Sequence, residues 1–154
     1  MDDRPRMVLL VGLPGSGKST WARQQGTAVV STDDIRFLLS DDASNQTIHR
    51  PVFATLRYLV RRRLELRRPV TYVDATNLTV WERRGYIKLG QMFGARLEAV
   101  FFDTPIEICK ERNRQRERVV PDGAIDSLAE RLVVPSTAEG LELVTVYTPL
   151  APPP

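Results

Sequence analysis

Residues 12–20 read Gly12-Leu13-Pro14-Gly15-Ser16-Gly17-Lys18-Ser19-Thr20, and the apolar run Met7-Val8-Leu9-Leu10-Val11 stands nearly against them in the chain. The nonapeptide fits G-x-x-x-x-G-K-[ST] at every fixed position, and the run supplies the strand the pattern requires. Gly12, Gly15 and Gly17 let the backbone turn tightly and aim its N–H groups at phosphate oxygens. Lys18 is placed to reach the β- and γ-phosphates and the Ser19 hydroxyl to ligate Mg²⁺. A helix opening at Ser19 turns its positive end toward the same anion. The sequence therefore points to a nucleoside triphosphate with Mg²⁺, held by Gly12, Gly15, Ser16, Gly17, Lys18, Ser19 and Thr20.

Working outward, apolar runs at 7–11, 28–31, 70–74, 97–103 and 141–147 predict five short strands separated by helical segments. Thr79-Val80-Trp81-Glu82 and Thr104-Pro105-Ile106-Glu107 both match the capping box, the second with proline at the first helical position. Alternation of this kind predicts an α/β fold with a five-stranded, mostly parallel sheet covered on both faces, and ligands outside the carboxyl ends of the strands. The segments 31–36 and 74–77 and residue Asp103 fall at such ends.

Composition narrows the classes further. The chain has 154 residues, 42% hydrophobic and 27% charged, which suits one domain over 1–150 with the proline-rich 151–154 as a frayed tail. A single cysteine, Cys109, and a single histidine, His49, exclude an internal disulfide, a thiolate or histidine metal cluster and a histidine-based nucleophile triad. His49 reads as a loop residue. No stretch approaches the ~20 apolar residues of a membrane span, and the start Met-Asp-Asp-Arg-Pro-Arg lacks a signal-peptide layout, so a cytoplasmic protein is expected. A net charge of +3 is too small to decide for or against nucleic acid.

Phosphoryl transfer also needs a group to activate the acceptor. Asp33, just beyond the second strand, is the preferred general base, with Arg36 one helical turn on as an anion ligand. The alternative is that Asp33 or Asp34 merely caps the next helix. Asp74 and Asp103 each end a strand, as carboxylates near Mg²⁺ do, or are turn residues. The densest run of arginine is Arg112-Asn113-Arg114-Gln115-Arg116-Glu117-Arg118, expected to continue the helix from Pro105 nearly to Pro121. Arg112 and Arg116 then share one face and Arg114 and Arg118 another, so one pair can turn toward the donor phosphates as a lid. A solvated helix end is the alternative. Residues 47–68 carry seven arginines among apolar residues at helical spacing, which fits either a polynucleotide contact or a solvated helix face. Phe53, Tyr58 and Trp81 read as core residues or as platforms for bases.

Taken together, 12–23, 31–36, 74–84 and 100–121 occur in the order found in the kinase domain of bacteriophage and bacterial polynucleotide 5′-kinases, which the chain resembles within the small P-loop kinases. The resemblance implies an adenylate-kinase-like three-layer α/β/α sandwich with a short arginine-rich lid. It implies that Lys18 and Ser19 hold ATP and Mg²⁺, that Asp33 is the general base, and that Arg36 clamps the phosphate next to a terminal 5′-hydroxyl of DNA or RNA. Arg116 becomes the catalytic lid arginine, with Arg112 beside the nucleotide and Asn77 and Arg83 on the acceptor side. Asp74-Ala75-Thr76-Asn77 departs from the viral Ser-Asp-Thr-Asn, and 154 residues leave no room for the phosphatase or ligase domains of repair enzymes. A kinase of a small metabolite, antibiotic or aminoacyl-tRNA is the alternative. A regulatory ATPase is disfavoured, because the guanine-reading Asn-Lys-x-Asp and a water-orienting glutamine are both missing from the sequence.

Overall fold

The computed structural model describes residues 1–116 and 120–148. The expected lid residue Arg118 and the expected tail 151–154 lie outside these residues. In chain order the elements are β1 (Arg6–Val11), α1 (Lys18–Arg23), β2 (Val29–Ser31), α2 (Thr32–Ser40), α3 (His49–Glu65), β3 (Val70–Asp74) and α4 (Val80–Met92). There follow β4 (Arg96–Phe102), α5 (Ile106–Arg114), α6 (Asp122–Arg131), a 3₁₀ turn (Thr137–Glu139) and β5 (Leu143–Tyr147).

The strands lie in the order β2-β3-β1-β4-β5, and every pairing is parallel, so the sheet expected to be mostly parallel is wholly so among the described residues. Strand β1 sits at the centre, with Leu9 opposite Val73 of β3 and Ala99 of β4. Its unbroken apolar run is what a strand covered on both faces requires. Met7, Leu9 and Val11 pack toward α3 and α4, whereas Val8 and Leu10 pack with Ala22 and Trp21 of α1. Trp21 meets Tyr72 and Phe102 edge-on at 5.6 and 5.7 Å between ring centres, the geometry that aromatic quadrupoles favour. On α3 a single stripe, Val52, Leu56, Val60 and Leu64, is fully buried. Each such side chain contributes about 1.5–3 kcal/mol on leaving water.

Two helix starts differ from the capping-box expectation. At α4 the Thr79 hydroxyl accepts from the Glu82 N–H (3.1 Å), but the Glu82 carboxylate accepts from Leu78 N (2.9 Å) rather than from Thr79. At α5 the N-cap is Pro105, with no side-chain cap, because Thr104 Oγ1 instead donates to the Ser16 carbonyl (2.8 Å). Helix α5 also stops at Arg114, short of the expected end near Pro121. Its buried Asn113 accepts from Val120 N (3.0 Å) and donates to the Val120 carbonyl. That pairing brings residue 120 back against the helix and launches α6. No helix among the described residues is long and apolar enough to cross a membrane.

Close packing of α4 on the sheet depends on Gly90, where an added Cβ would run into Leu97 Cδ2 and stand 3.0 Å from Met7 Cε. Gly90→Ala is expected to cost about 1–3 kcal/mol through overpacking, outweighing the better helix propensity of alanine. Thermal or urea unfolding measures this, and a variant as stable as the parent refutes the close contact.

Candidate active site

At the carboxyl end of β1 the chain is turned by Gly15 (φ +82°) and Gly17 (φ +104°), conformations that favour glycine. A side chain at Gly15 would also collide with the backbone carbonyl of Cys109 in α5. The loop is held from three sides. Gly12 N donates to the Thr76 carbonyl (3.1 Å), Ser16 N to Leu13 (3.0 Å), and Thr104 Oγ1 to Ser16 O. Gly17 is the N-cap of α1 and offers no side-chain acceptor, which leaves first-turn N–H groups directed at the loop's concavity.

Lys18 is only 7% exposed, and its Nζ donates to the carbonyls of Gly12 (2.8 Å) and Leu13 (3.0 Å). Burial pulls its pKa down, and the charges of Asp74 and Asp33 work against that fall. Asp74 closes the neighbouring strand β3, and its Oδ2 accepts from Ser19 Oγ (2.7 Å). Burial pushes the Asp74 carboxyl up, opposed by Lys18 and the Ser19 hydroxyl. A hydroxyl and a carboxylate side by side at the mouth of a phosphate-binding loop are hard oxygen donors that fit Mg²⁺. The buried Ser16 Oγ has no hydrogen-bond partner among the described residues, so an anion seated in the loop would satisfy it.

The cap of α2 is Ser31, whose hydroxyl accepts from Asp34 N (3.4 Å). Neither Asp33 nor Asp34 is used as the cap. Asp33 lies in the first turn, with Arg116 Nη2 3.6 Å from its Oδ2. Arg36, one turn on, is 4% exposed and donates to the Asn45 carbonyl (2.8 Å) and to Nδ1 of His49 (3.3 Å). His49 therefore opens α3 and braces an arginine, in contrast to the loop position expected for it. Arg112 from α5 reaches over Gly17, with Nη1 3.6 Å from where a Cβ there would stand. Arg114 points elsewhere and pairs with Asp122 (2.6 Å). These groups line one open cleft of about 2170 Å³, bounded by the loop, α2, α4 and the α5–α6 region.

Two residues expected on the acceptor side both bond to the protein itself, Asn77 from a buried position that lines the cleft and Arg83 from one that does not. Arg83 is fully buried and forms a two-pronged pair with Glu139 (Nε–Oε1 2.8 Å, Nη2–Oε2 3.0 Å). Its remaining Nη1 donates to the Asn77 carbonyl (2.8 Å). Asn77 adopts φ +50°, and its amide donates to the carbonyls of Leu10 (2.8 Å) and Ala75 (3.5 Å). Both side chains tie the β3–α4 loop to β1 and the 3₁₀ turn. Asp103 is exposed and lies outside the cleft, its N–H donating to Tyr147 O at the end of β5. Nothing in the sequence separates a capping threonine at 104 from one that braces a loop 88 residues away.

If Arg83 is structural, Arg83→Ala strands Glu139 in a mostly buried site and lowers stability by about 3–5 kcal/mol. Differential scanning calorimetry should show the loss. Unchanged melting combined with a raised KM for acceptor would instead make Arg83 a substrate ligand.

The comparisons with known proteins agree with this geometry. The family described as AAA domain matches residues 7–135. The bifunctional polynucleotide phosphatase/kinase of Schizosaccharomyces pombe is 22% identical over 145 residues, covering 90% of this chain and 32% of that protein. The chain thus spans about a third of that relative's length. Among solved structures, a chain of the Pnkp1/Rnl/Hen1 RNA repair complex superposes with a TM-score of 0.73 at 25% identity, over 86% of this chain and 45% of that one. A gluconokinase from Sinorhizobium meliloti 1021 shares the fold with a TM-score of 0.59 at 20% identity, over 96% and 85% of the two chains. With its wholly parallel sheet and phosphate-binding loop, the chain belongs to the AAA domain family and has the α/β P-loop kinase fold.

Proposed function

We propose that this P-loop kinase transfers the γ-phosphate of ATP to the 5′-hydroxyl end of a DNA or RNA strand. The observation that carries the reading is the convergence of Asp33 and Arg116, 3.6 Å apart, in the cleft that also holds Lys18 and Arg36. A carboxylate in the first turn of α2, beside the loop and not used as the helix cap, suits a general base, and the lid-side guanidinium suits charge developing on the transferred group. The polynucleotide kinase named in the Schizosaccharomyces pombe relative and the RNA repair complex among the structural relatives both support a polynucleotide acceptor.

In this mechanism the acceptor oxygen forms a bond to the γ-phosphorus while the bond from that phosphorus to the bridging oxygen of ADP breaks. The hydroxyl proton passes to the Asp33 carboxylate. Lys18 leaves its loop carbonyls for the β- and γ-phosphates, and Arg112 and Arg116 neutralise charge from the opposite side. Arg36, held in place by Asn45 and His49, offers fixed positive charge to a phosphate next to the reacting hydroxyl. Ser19 and Asp74 would hold Mg²⁺, which when bound would supply Lewis-acid neutralisation of the donor phosphates.

Transfer of labelled γ-phosphate to 5′-hydroxyl DNA and RNA oligonucleotides, with Lys18→Ala as the contamination control, tests the reading directly. Label at the 5′ end that is lost in the control supports it. ATP binding without transfer to either strand overturns it and directs the search to small-molecule acceptors. ATP hydrolysis at an acceptor-independent rate would mark a regulatory ATPase. Asp33→Asn is expected to lower kcat by about 10²–10⁴-fold with ATP affinity retained. A turnover within a few-fold of the parent removes Asp33 as the base.

A further inference from the structure

Along one wall of the cleft, α4 presents Trp81, Arg84, Gly85 and Lys88 on an exposed face, at the i, i+3, i+4 and i+7 positions that share a side of a helix. All four line the cleft. Trp81 is 79% exposed. Indole surface left in water is costly, and a ring this bare, at the edge of a site, is suited to a planar partner. Gly85 lies one turn beyond Trp81, and a Cβ there would meet nothing within 4 Å. Packing therefore does not require glycine at this point of the helix, where it costs about 1 kcal/mol relative to alanine. Its effect is to leave a shelf beside the indole free of any side chain.

Arg57 of α3 stands across this shelf. Arg57 and Gly85 also line a second, smaller groove of about 320 Å³ between α3 and α4, bordered by Tyr58, which is 55% exposed. Cleft and groove therefore adjoin. The cations along the path differ from their neighbours. On α3, Arg61 and Arg62 are both paired with Glu65, and Arg131 holds the neighbouring carboxylate of α4, Glu82, at 2.7 Å. Arg57, Arg84 and Lys88 form no ion pair among the described residues. A strip of cations without ion pairs beside the bare Trp81 ring complements a chain of phosphates carrying an unstacked base.

We infer that the α3–α4 face is a track for single-stranded nucleic acid, with Trp81 stacking on a base and Arg57, Arg84 and Lys88 meeting phosphates downstream of the reacting end. The inference rests on the polynucleotide reading above for its direction, while its test is a binding measurement that does not need turnover. Titration with a 5′-hydroxyl oligothymidylate of about twelve nucleotides should quench tryptophan fluorescence. Trp81→Phe, which leaves the packed Trp21 in place, should abolish the quench. Trp81→Ala should weaken binding about tenfold. The double variant Arg84→Gln/Lys88→Gln should reduce the slope of log affinity against log salt by about 1.4.

The outcomes separate the two proposals. Quenching through Trp81 without phosphoryl transfer retains the track and sinks the kinase assignment. Transfer to oligonucleotides with unaltered affinity and salt slope in all three variants overturns the track and leaves the kinase standing. A blunt duplex that quenches Trp81 as strongly as the single strand also overturns it, as does an oligonucleotide that fails to bind.

Discussion

A lysine ammonium held 7% exposed beside a buried aspartate is the constraint on which this site is built. Charge in such surroundings is stable only where oxygens converge on it. Here the carbonyls of Gly12 and Leu13 accept from Lys18, and the Asp74 carboxylate lies near enough to oppose the fall in its pKa. That proximity is a product of strand order. Because β3 runs parallel and adjacent to β1, Asp74 ends its strand beside the loop that follows Val11, and Ser19 closes the gap with a hydrogen bond. The same burial raises the pKa of Asp74 and lowers that of Lys18. Each group is thus held against its ordinary ionisation by burial and sustained by the charge of the other.

Loop geometry is secured from below by groups that carry no charge. Thr104, just past β4, fixes Ser16 O, and the Cys109 carbonyl abuts Gly15. Strand β4 pairs with β1 on the side away from β3, so the loop is anchored by both neighbours of the strand from which it springs. A loop held at both flanks loses little entropy on binding, which is the condition for recognition by backbone N–H groups. One cleft-lining arginine stands apart from this frame. Arg116 follows the end of α5 and is tied to Asp33 by an ion pair that is largely open to solvent, a weak contact that substrate can displace.

The fold was legible because its signals are local. The loop pattern, the apolar runs and the Ser31–Arg36 segment place the strands to within two residues and put the phosphate loop, Asp33 and Asp74 at neighbouring strand ends. What escaped depends on partners distant in sequence. Arg83 looks like any helix arginine until Glu139, 56 residues on, is brought against it. Asn77 and Thr104 likewise spend their side chains on carbonyls of β1 and the loop rather than on ligand or helix cap. Local rules such as capping preferences compete with tertiary hydrogen bonds of similar strength, and the buried tertiary bond wins because leaving its acceptor unmet would cost more.

Arginine illustrates how far composition alone misleads. The same residue type serves as a buried tie at Arg83, a braced cleft-lining cation at Arg36, a helix-surface partner of Glu65 at Arg61 and Arg62, and an uncompensated cation at Arg57 and Arg84. Net charge is small because carboxylates cancel most of these, and the cancellation is uneven across the surface. Arg61 and Arg62 of α3 and Arg114 of α5 are paired with carboxylates, and so, around the cleft, are Arg116 and Arg131. Arg57, Arg84 and Lys88, which form no ion pair among the described residues, lie along the cleft wall and the adjoining groove, where they add positive potential for an approaching anion. Position relative to acidic neighbours, which only the fold reveals, decides which arginines can act on a ligand.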